Sequence, residues 1–421
     1  MDSKKSKRGF NGCTLILILL SSYLLVPFYI SNLVAINRMF YYGIIVVPIG
    51  VHMVKNMRHT IVSKADFFLT LSIACFVILI IFMSCFHETG DVSCFSDEVL
   101  PAILKTLSKC SLVVIWYYFY KREKTSITFI ELIVSGVCFY ILGTFFFLLT
   151  PRAKDFWIEI IIQNENAIKF SRYLTYATRF GFGGYSGFEV SFYVCACFPL
   201  VVLLVKNNFI SYKKGLIYFI LLFAGSVFYA RVGTIAAIAM SVMCLEFYLS
   251  SSGRKIFVHL FLIGMIAMIG IFVVIQNSTN DSYAINWIFE PIINFFSGNS
   301  FRTASSDSLS NMYSKFKPVL STFLIGDGRW KDNGSFYMGV DVWMMRTIYF
   351  GGVVFAISYY AMGINTIGAM ITKLYENHYR GIKTFLFSWL IMLMLYEIKG
   401  GAIIYGLILC IPILSSIKLM S

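Results

Sequence analysis

Long apolar runs without charge recur along the chain and restrict its fold more than any other feature of the sequence. The first run extends from Thr14 to Ile30 and contains no charged residue. A helix needs about 20 consecutive apolar residues to cross the hydrocarbon core of a bilayer. A membrane β-barrel would instead show short segments of alternating polarity. The runs therefore predict an all-α polytopic integral membrane protein that contacts the lipid bilayer.

The composition of the 421-residue chain excludes a soluble enzyme. Hydrophobic residues make up 58% of the sequence and charged residues only 13%. Soluble domains carry about 25% charged residues, so the charges here are too few to cover a water-exposed surface. The net charge of +14 is interpreted as Lys and Arg in cytoplasmic loops, and no nucleic-acid partner is predicted.

Twelve apolar segments have about the length of membrane spans, and residues 1–421 are predicted to form a single membrane domain. One of the weakest segments is 99–120, because it carries Lys105 and Lys109. The predicted spans are 12–30, 39–54, 66–86, 99–120, 127–149, 187–205, 214–230, 232–250, 256–275, 348–371, 383–398 and 401–419.

The distribution of charge predicts the orientation of these spans. Twelve spans place both termini on one side, and the basic N-terminal residues place that side in the cytoplasm. Lys and Arg recur in the loops predicted to lie inside, whereas the outer loop 87–98 is acidic. Two outer loops, residues 151–186 and 276–347, are long, and long loops are often functional.

Basic residues in these outer loops break the expected charge bias. Any single Arg at a membrane boundary can snorkel to the headgroups, but the bias disfavours the whole set. An anionic lipid headgroup would account for them, because guanidinium keeps its charge and binds phosphate in a bidentate way. The candidate phosphate-binding residues are Arg172, Arg179, Arg231, Arg329 and Arg346.

A glycine-rich stretch, RFGFGGYSGFEV, precedes one apolar span at residues 179–190. Its backbone amides are candidates for cradling phosphate oxygens, and a flexible entry turn is the alternative interpretation. Arg172 and Arg179 are seven residues apart and share one face if the segment is helical. Glu189, a carboxylate inside a span, is either a functional residue or a structural partner of Arg179.

The end of the second long loop, residues 324–352, places further charges just before an apolar span. Asp341 and Arg346 approach one helical face there. They form either part of a functional site or a capped helix start with a surface ion pair. The sequence contains no HExxH motif and no Ser-His-Asp or metal-ligand cluster, so no metal and no cofactor are predicted.

Three blocks of the sequence resemble the bacterial O-antigen polymerases of the Wzy type. They are RFGFGGYSGFEVSF, FYARVGTIAAIA and LIGDGRW…GSFYMGVDVWMMRTIYFGGVVF. The family pattern of an Arg, ten residues and a Gly in a periplasmic loop is matched by Arg172 and Gly183. Related O-antigen ligases typically carry a key His in the second loop. This sequence has Asp341 and no His in the corresponding stretch, which favours a polymerase.

The resemblance implies a bacterial inner-membrane enzyme that joins undecaprenyl-pyrophosphate-linked oligosaccharide units on the periplasmic face, with a chain-length regulator as a partner. Pyrophosphate would be the leaving group, and arginines beside the bilayer would hold it and offset its developing charge without a metal. Glu189 or Asp341 would act as general base. The expected substrate-binding residues are Arg172, Arg179, Gly183, Arg231, Arg329 and Arg346. An O-antigen ligase and a transporter or flippase of the same lipid-linked unit are the alternatives.

Overall fold

The computed structural model describes residues 11–56, 64–163, 165–172, 179–248, 290, 294, 303–332 and 334–420. Up to the first long loop the helices are α1 (Gly12–Leu25), α2 (Val34–Asn56), α3 (Lys64–Phe86), α4 (Leu100–Lys121) and α5 (Phe129–Leu149). That loop contains α6 (Pro151–Ile160), α7 (Glu165–Arg172) and the antiparallel pair β1 (Phe180–Gly181) and β2 (Gly184–Tyr185).

The second half of the described chain is built in the same way. The helices between the two long loops are α8 (Phe188–Lys206), α9 (Tyr212–Tyr229) and α10 (Arg231–Tyr248). The second long loop contains α11 (Ala304–Lys315), α12 (Leu320–Ile325) and the pair β3 (Lys331–Asp332) and β4 (Ser335–Phe336). The chain ends with α13 (Trp343–Glu376), α14 (Ile382–Glu397) and α15 (Ala402–Met420).

The structure confirms a mostly helical chain, and several of its helices are long and apolar enough to cross a membrane. Within the described ranges every predicted span overlaps a helix. The predicted span 12–30 was too long, because α1 ends at Leu25 and the next five residues are not helical, and the predicted span 256–275 lies outside the described ranges. Among the described residues, seven helices are long and apolar enough to cross a membrane, while Gly12–Leu25 and Arg231–Ser241 are shorter apolar helices. The number of twelve spans stays a prediction.

Polar side chains cap several helices at their first turn. Asn11 Oδ1 accepts a hydrogen bond from the amide of Thr14 (2.9 Å) at the start of α1. Thr128 does the same at α5 and Ser211 at α9. These caps satisfy amides that have no partner within the helix, so each helix begins where the sequence supplies a short polar side chain before an apolar run.

Helix α8 lies at the centre of the fold and packs against α5, α9, α10 and α14. Every residue from Val190 to Leu204 is buried. A helix that is apolar on all sides belongs in an interior, which explains its position. A second group packs beside it, in which α13 contacts α3 and α15, and α15 contacts α4.

Helix α13 is broken near its start by two consecutive glycines. Gly351 and Gly352 leave the helical conformation, and Gly352 has φ 66°. The carbonyls of Tyr349 and Phe350 accept hydrogen bonds from the amides of Asp327 (2.6 Å) and Gly328 (2.9 Å). The second long loop therefore contacts the helix at the break, and its amides satisfy carbonyls that the helix leaves without partners there.

Loops predicted to share the outer side contact each other. Asp91 in the acidic loop 87–98 accepts hydrogen bonds from the amides of Trp330 (2.5 Å) and Lys331 (3.0 Å). The Nζ of Lys331 lies 2.5 Å from Oδ2 of Asp97. The acidic loop thus neutralises one of the basic side chains that break the charge bias.

Loops predicted to lie inside also contact each other, at the opposite helix ends. Asn207, after α8, donates a hydrogen bond to the carbonyl of Arg380 (3.1 Å) and accepts one from its amide (2.8 Å). Asn11 donates to the carbonyl of Lys124 (2.5 Å). The two sets of loops therefore mark two opposite ends of the helical bundle.

Candidate anion-binding site

A cavity of about 420 Å³ lies where the two long loops meet the helix ends that are predicted to face the outer side. Its wall includes three residues that the sequence analysis selected, together with others that it did not. The charged and hydroxyl-bearing residues of the wall are Arg179, Arg231, Glu290, Ser305, Ser308, Asp341 and Lys399. Three cations and two carboxylates make this wall positive overall.

Arg231 reaches the cavity from the first residue of α10. Ala230 is extended (φ −158°, ψ 146°) and separates α9 from α10, so Arg231 stands at a corner between two helices. Its guanidinium forms an ion pair with Glu290. The other oxygen of Glu290 accepts a hydrogen bond from the amide of Ala304 (3.0 Å), so this carboxylate ties Arg231 to the start of α11.

Arg179 reaches the cavity from the residue before β1. Its Nη1 donates a hydrogen bond to the hydroxyl of Tyr185 (3.0 Å), and its carbonyl accepts from the amide of Ser186 (2.9 Å). Gly187 lies beside this side chain, and a Cβ there would be at an ordinary van der Waals distance of 3.5 Å from Nη1 of Arg179. The two hydrogen bonds of the short hairpin therefore hold Arg179 in place near the start of α8.

Lys399 is a cavity residue that the sequence analysis missed. It lies between α14 and α15, and its Nζ donates a hydrogen bond to Oγ of Ser305 (3.1 Å). Burial lowers the pKa of Lys399; the charge of Asp341 opposes this shift, and the charges of Arg179 and Arg231 add to it. In the sequence, Lys399 is a lone cation between two apolar segments. The same feature identified Arg231 as a candidate.

Asp341 supplies the second carboxylate of the wall, two residues before α13. Part of its side chain is open to the cavity and part is surrounded by protein, which raises the pKa of the carboxyl above the usual value. Burial is the main cause, and the charges of Arg346 and Lys399 oppose it. A carboxylate with a raised pKa is a better proton acceptor than an ordinary aspartate.

Glu189 lies apart from this cavity, on the first turn of α8. One oxygen is 2.5 Å from Nζ of Lys105, and the other accepts a hydrogen bond from the hydroxyl of Tyr193 (2.7 Å). Nearby, Lys109 donates to the carbonyl of Leu24 (3.1 Å). The ion-pair partner of Glu189 is therefore Lys105 rather than Arg179, and the charges that weakened the predicted span 99–120 belong to this cluster.

Arg346 is buried in a cage of aromatic rings and does not line the cavity. Its guanidinium carbon lies 3.9 Å from the ring centroid of Trp330 and 3.8 Å from that of Phe336. Its Nη2 is 3.1 Å from an oxygen of Glu98. The carboxylate partner of Arg346 is therefore Glu98, in the acidic loop 87–98, rather than the neighbouring Asp341.

The remaining candidates also lie outside the cavity wall. Arg172, the last residue of α7, and Arg329 are exposed. Gly183 forms the turn between β1 and β2, where a Cβ would lie 2.4 Å from Cγ1 of Val26. Close packing on Val26 accounts for a glycine at this position. The structure thus brings together Arg179, Arg231 and Asp341 and separates them from the other predicted site residues.

Within the described ranges, no group of three or more His, Cys, Asp or Glu residues is arranged to hold a metal ion. The cavity suits an anion instead, since two guanidinium groups and an ammonium group face the same space. No protein-family model, no curated protein and no solved structure matches this chain.

Proposed function

We propose that this protein is an inner-membrane glycosyltransferase that polymerises undecaprenyl-pyrophosphate-linked oligosaccharide units into O-antigen polysaccharide on the periplasmic face. The observation that carries the proposal is the cavity in which Arg179, Arg231 and Lys399 lie beside Asp341. A pyrophosphate leaving group suits the cations, and an acceptor hydroxyl suits the carboxylate.

The cations would hold the donor pyrophosphate and offset the charge that develops as it leaves. Arg231 is restrained by its ion pair with Glu290, and Arg179 is restrained by its hydrogen bond to Tyr185. Donors that are already fixed need little reorganisation when charge develops, which is the main source of electrostatic catalysis. The ammonium group of Lys399 adds a third positive charge.

Asp341 is the better of the two candidate bases, because it lines the same cavity as the cations. It would take the proton of the acceptor hydroxyl as that oxygen attacks the anomeric carbon of the donor sugar. The bond from that carbon to the pyrophosphate oxygen breaks, and undecaprenyl pyrophosphate leaves. Glu189 is already engaged by Lys105 and Tyr193 and lies outside the cavity wall.

A transporter of the same lipid-linked unit is the second candidate function. The observation that favours it is the cluster of Lys105, Lys109 and Glu189 between α4 and α8, two helices apolar and long enough to cross a membrane. Ionisable groups at membrane depth often mark a substrate or proton pathway. A ligase would use the same donor chemistry with a different acceptor.

Reconstitution with purified lipid-linked units separates these functions. We expect the wild-type protein in vesicles to convert them into a ladder of longer products on a gel. A transporter would move the units across the vesicle membrane without lengthening them, and a ligase would lengthen nothing unless its acceptor were added. Vesicles with correctly inserted protein that yield no longer product would contradict the polymerase.

Variants of the cavity then test the anion-binding role. Arg231→Ala is expected to lower the polymerisation rate by about 100-fold, the cost of removing one oriented charge donor. Arg231→Lys keeps the charge, loses the bidentate geometry and should retain part of the activity. Lys317→Ala, an exposed cation of the same loop outside the cavity wall, is the control and should have wild-type activity.

A further inference from the structure

A second groove, of about 530 Å³, adjoins the charged cavity along α11. The two spaces share Ala304, Ser308 and Met312 as lining residues. One helix therefore forms a wall of both, and the groove continues the cavity toward the tip of the second long loop, where Met338 and Gly339 form the opposite wall.

The side of α11 that lines the groove carries four polar side chains, together with an alanine and a methionine. Its residues recur at the spacing of one helical face: they are Ala304, Asp307, Ser308, Asn311, Met312 and Lys315. None of the residues of α11 is buried. From the first to the last of these residues the helix rises about 16 Å, at 1.5 Å per residue, so the groove offers contacts to an extended ligand.

The chemistry of the groove differs from that of the cavity. The cavity concentrates cations, whereas the groove presents a hydroxyl, an amide and one side chain of each charge. Hydroxyl and amide groups both donate hydrogen bonds to ligand hydroxyls and accept them, and a carboxylate accepts them. Met338, 63% exposed on the opposite wall, adds an apolar surface of the kind that the carbon-bound hydrogens of a sugar ring can cover.

We infer that the groove along α11 is an oligosaccharide subsite, which binds the sugar chain of a lipid-linked unit whose pyrophosphate lies in the adjoining cationic cavity. This inference rests on the proposed function and adds to it a location and a set of residues for sugar recognition. Asn311 and Asp307 line the groove and not the cavity, so they contact the sugar chain and not the pyrophosphate.

Binding of two probes to the full-length protein in nanodiscs tests this subsite. The first probe is undecaprenyl pyrophosphate. The second is the undecaprenyl-pyrophosphate-linked oligosaccharide isolated from cells that lack this protein. Asn311→Leu should weaken binding of the second probe about threefold to tenfold, the loss expected for one hydrogen-bonding group, and leave binding of the first unchanged. Asp307→Ala should act in the same direction.

Two further variants make the result specific. Ser310→Leu places the same apolar side chain on an exposed residue of α11 that does not line the groove, and should bind both probes as the wild type does. Arg231→Ala should weaken binding of both probes, because both carry pyrophosphate.

The subsite is refuted if Asn311→Leu binds the oligosaccharide-bearing lipid as tightly as the wild type does, or if it weakens both probes equally. Equal affinity of the wild type for the two probes would also refute it. The proposed function fails separately, if Arg231→Ala leaves the affinity for undecaprenyl pyrophosphate unchanged.

Discussion

At the scale of single residues, arginines that look alike in the sequence have different environments and therefore different roles. Arg346 is 5% exposed and is enclosed by Trp330, Phe336 and Glu98, whereas Arg329 is exposed to solvent. A buried cation that has both a carboxylate partner and aromatic faces contributes mainly to the stability of the fold. A solvent-exposed arginine contributes little to the stability of the fold.

Replacing these two arginines should therefore have unequal effects on stability. Arg346→Met leaves Glu98 without its cation and removes the cation–π contacts, which we expect to cost about 3 kcal/mol. Arg329→Met, the matched control, should change stability by less than about 0.5 kcal/mol. Thermal unfolding of the two variants in the same detergent measures the difference. Equal melting temperatures would contradict a structural role for Arg346.

The raised pKa of Asp341 predicts the pH dependence of activity. A general base works as the carboxylate, so activity is lost as the pH falls through its pKa. Burial raises that pKa above the usual 3.8, so the acidic limb of the polymerisation rate should lie at a higher pH than for an ordinary aspartate. Asp341→Asn should bind the lipid-linked unit yet form no polymer at any pH. A wild-type pH profile from this variant would remove Asp341 from the mechanism.

At the scale of elements, the break in α13 determines where the second long loop attaches to the bundle. The φ of 66° at Gly352 is rarely adopted by residues with a side chain. A Cβ at this position would lie 2.3 Å from the carbonyl oxygen of Leu324. Glycine is therefore required both by the backbone conformation and by the close approach of α12.

Alanine substitutions at two glycines of α13 test this requirement. Gly352→Ala should destabilise the protein by at least about 2 kcal/mol, because it combines a disfavoured conformation with a clash. Gly368→Ala lies later in the same helix, where a Cβ meets no atom within 4 Å, and should be neutral or stabilise by about 0.5 kcal/mol. Thermal unfolding in detergent checks both, and a neutral Gly352→Ala would contradict the described path of the loop.

At the scale of the whole molecule, the contacts between loops agree with the charge pattern. Loops that the charge pattern assigns to the same side of the membrane contact each other. The acidic loop 87–98 contacts the second long loop through Asp91 and Asp97. At the other end of the bundle, Asn207 joins the loops after α8 and α13. Contact in the folded protein requires a common side of the membrane, whichever side that is.

Reporter fusions test this arrangement and its orientation. Fusions after residues 92, 165 and 310 should all report the periplasm. Fusions after residues 123, 210 and 378 should all report the cytoplasm, because Lys and Arg concentrate in those loops. A cytoplasmic signal at 165 and 310 would place the cavity on the wrong side for periplasmic polymerisation. Different signals at 92 and 310 would contradict the contact between Asp91 and Trp330.

The sequence by itself determined the class of fold and most of the helix positions. A span in a bilayer must satisfy its own backbone hydrogen bonds, so a long uncharged run can hardly become anything but a helix. Arg231 was also identified from its immediate sequence neighbours, because a cation between two apolar runs has no polar loop in which to lie. Lys399 also lies between two apolar runs, so the same criterion would have identified it as a further residue of the cavity wall.

Only the tertiary structure decided which charges work together. Arg179, Arg231, Asp341 and Lys399 come from four separate parts of the chain, and no local pattern records that they meet. Arg346 lies five residues from Asp341 yet is paired with Glu98, and Glu189 lies ten residues from Arg179 yet is paired with Lys105. Spacing in the sequence determines which residues are neighbours along one helix. The packing of helices and loops determines which charged side chains from different parts of the chain lie close together. Only folding removes the water from between such side chains.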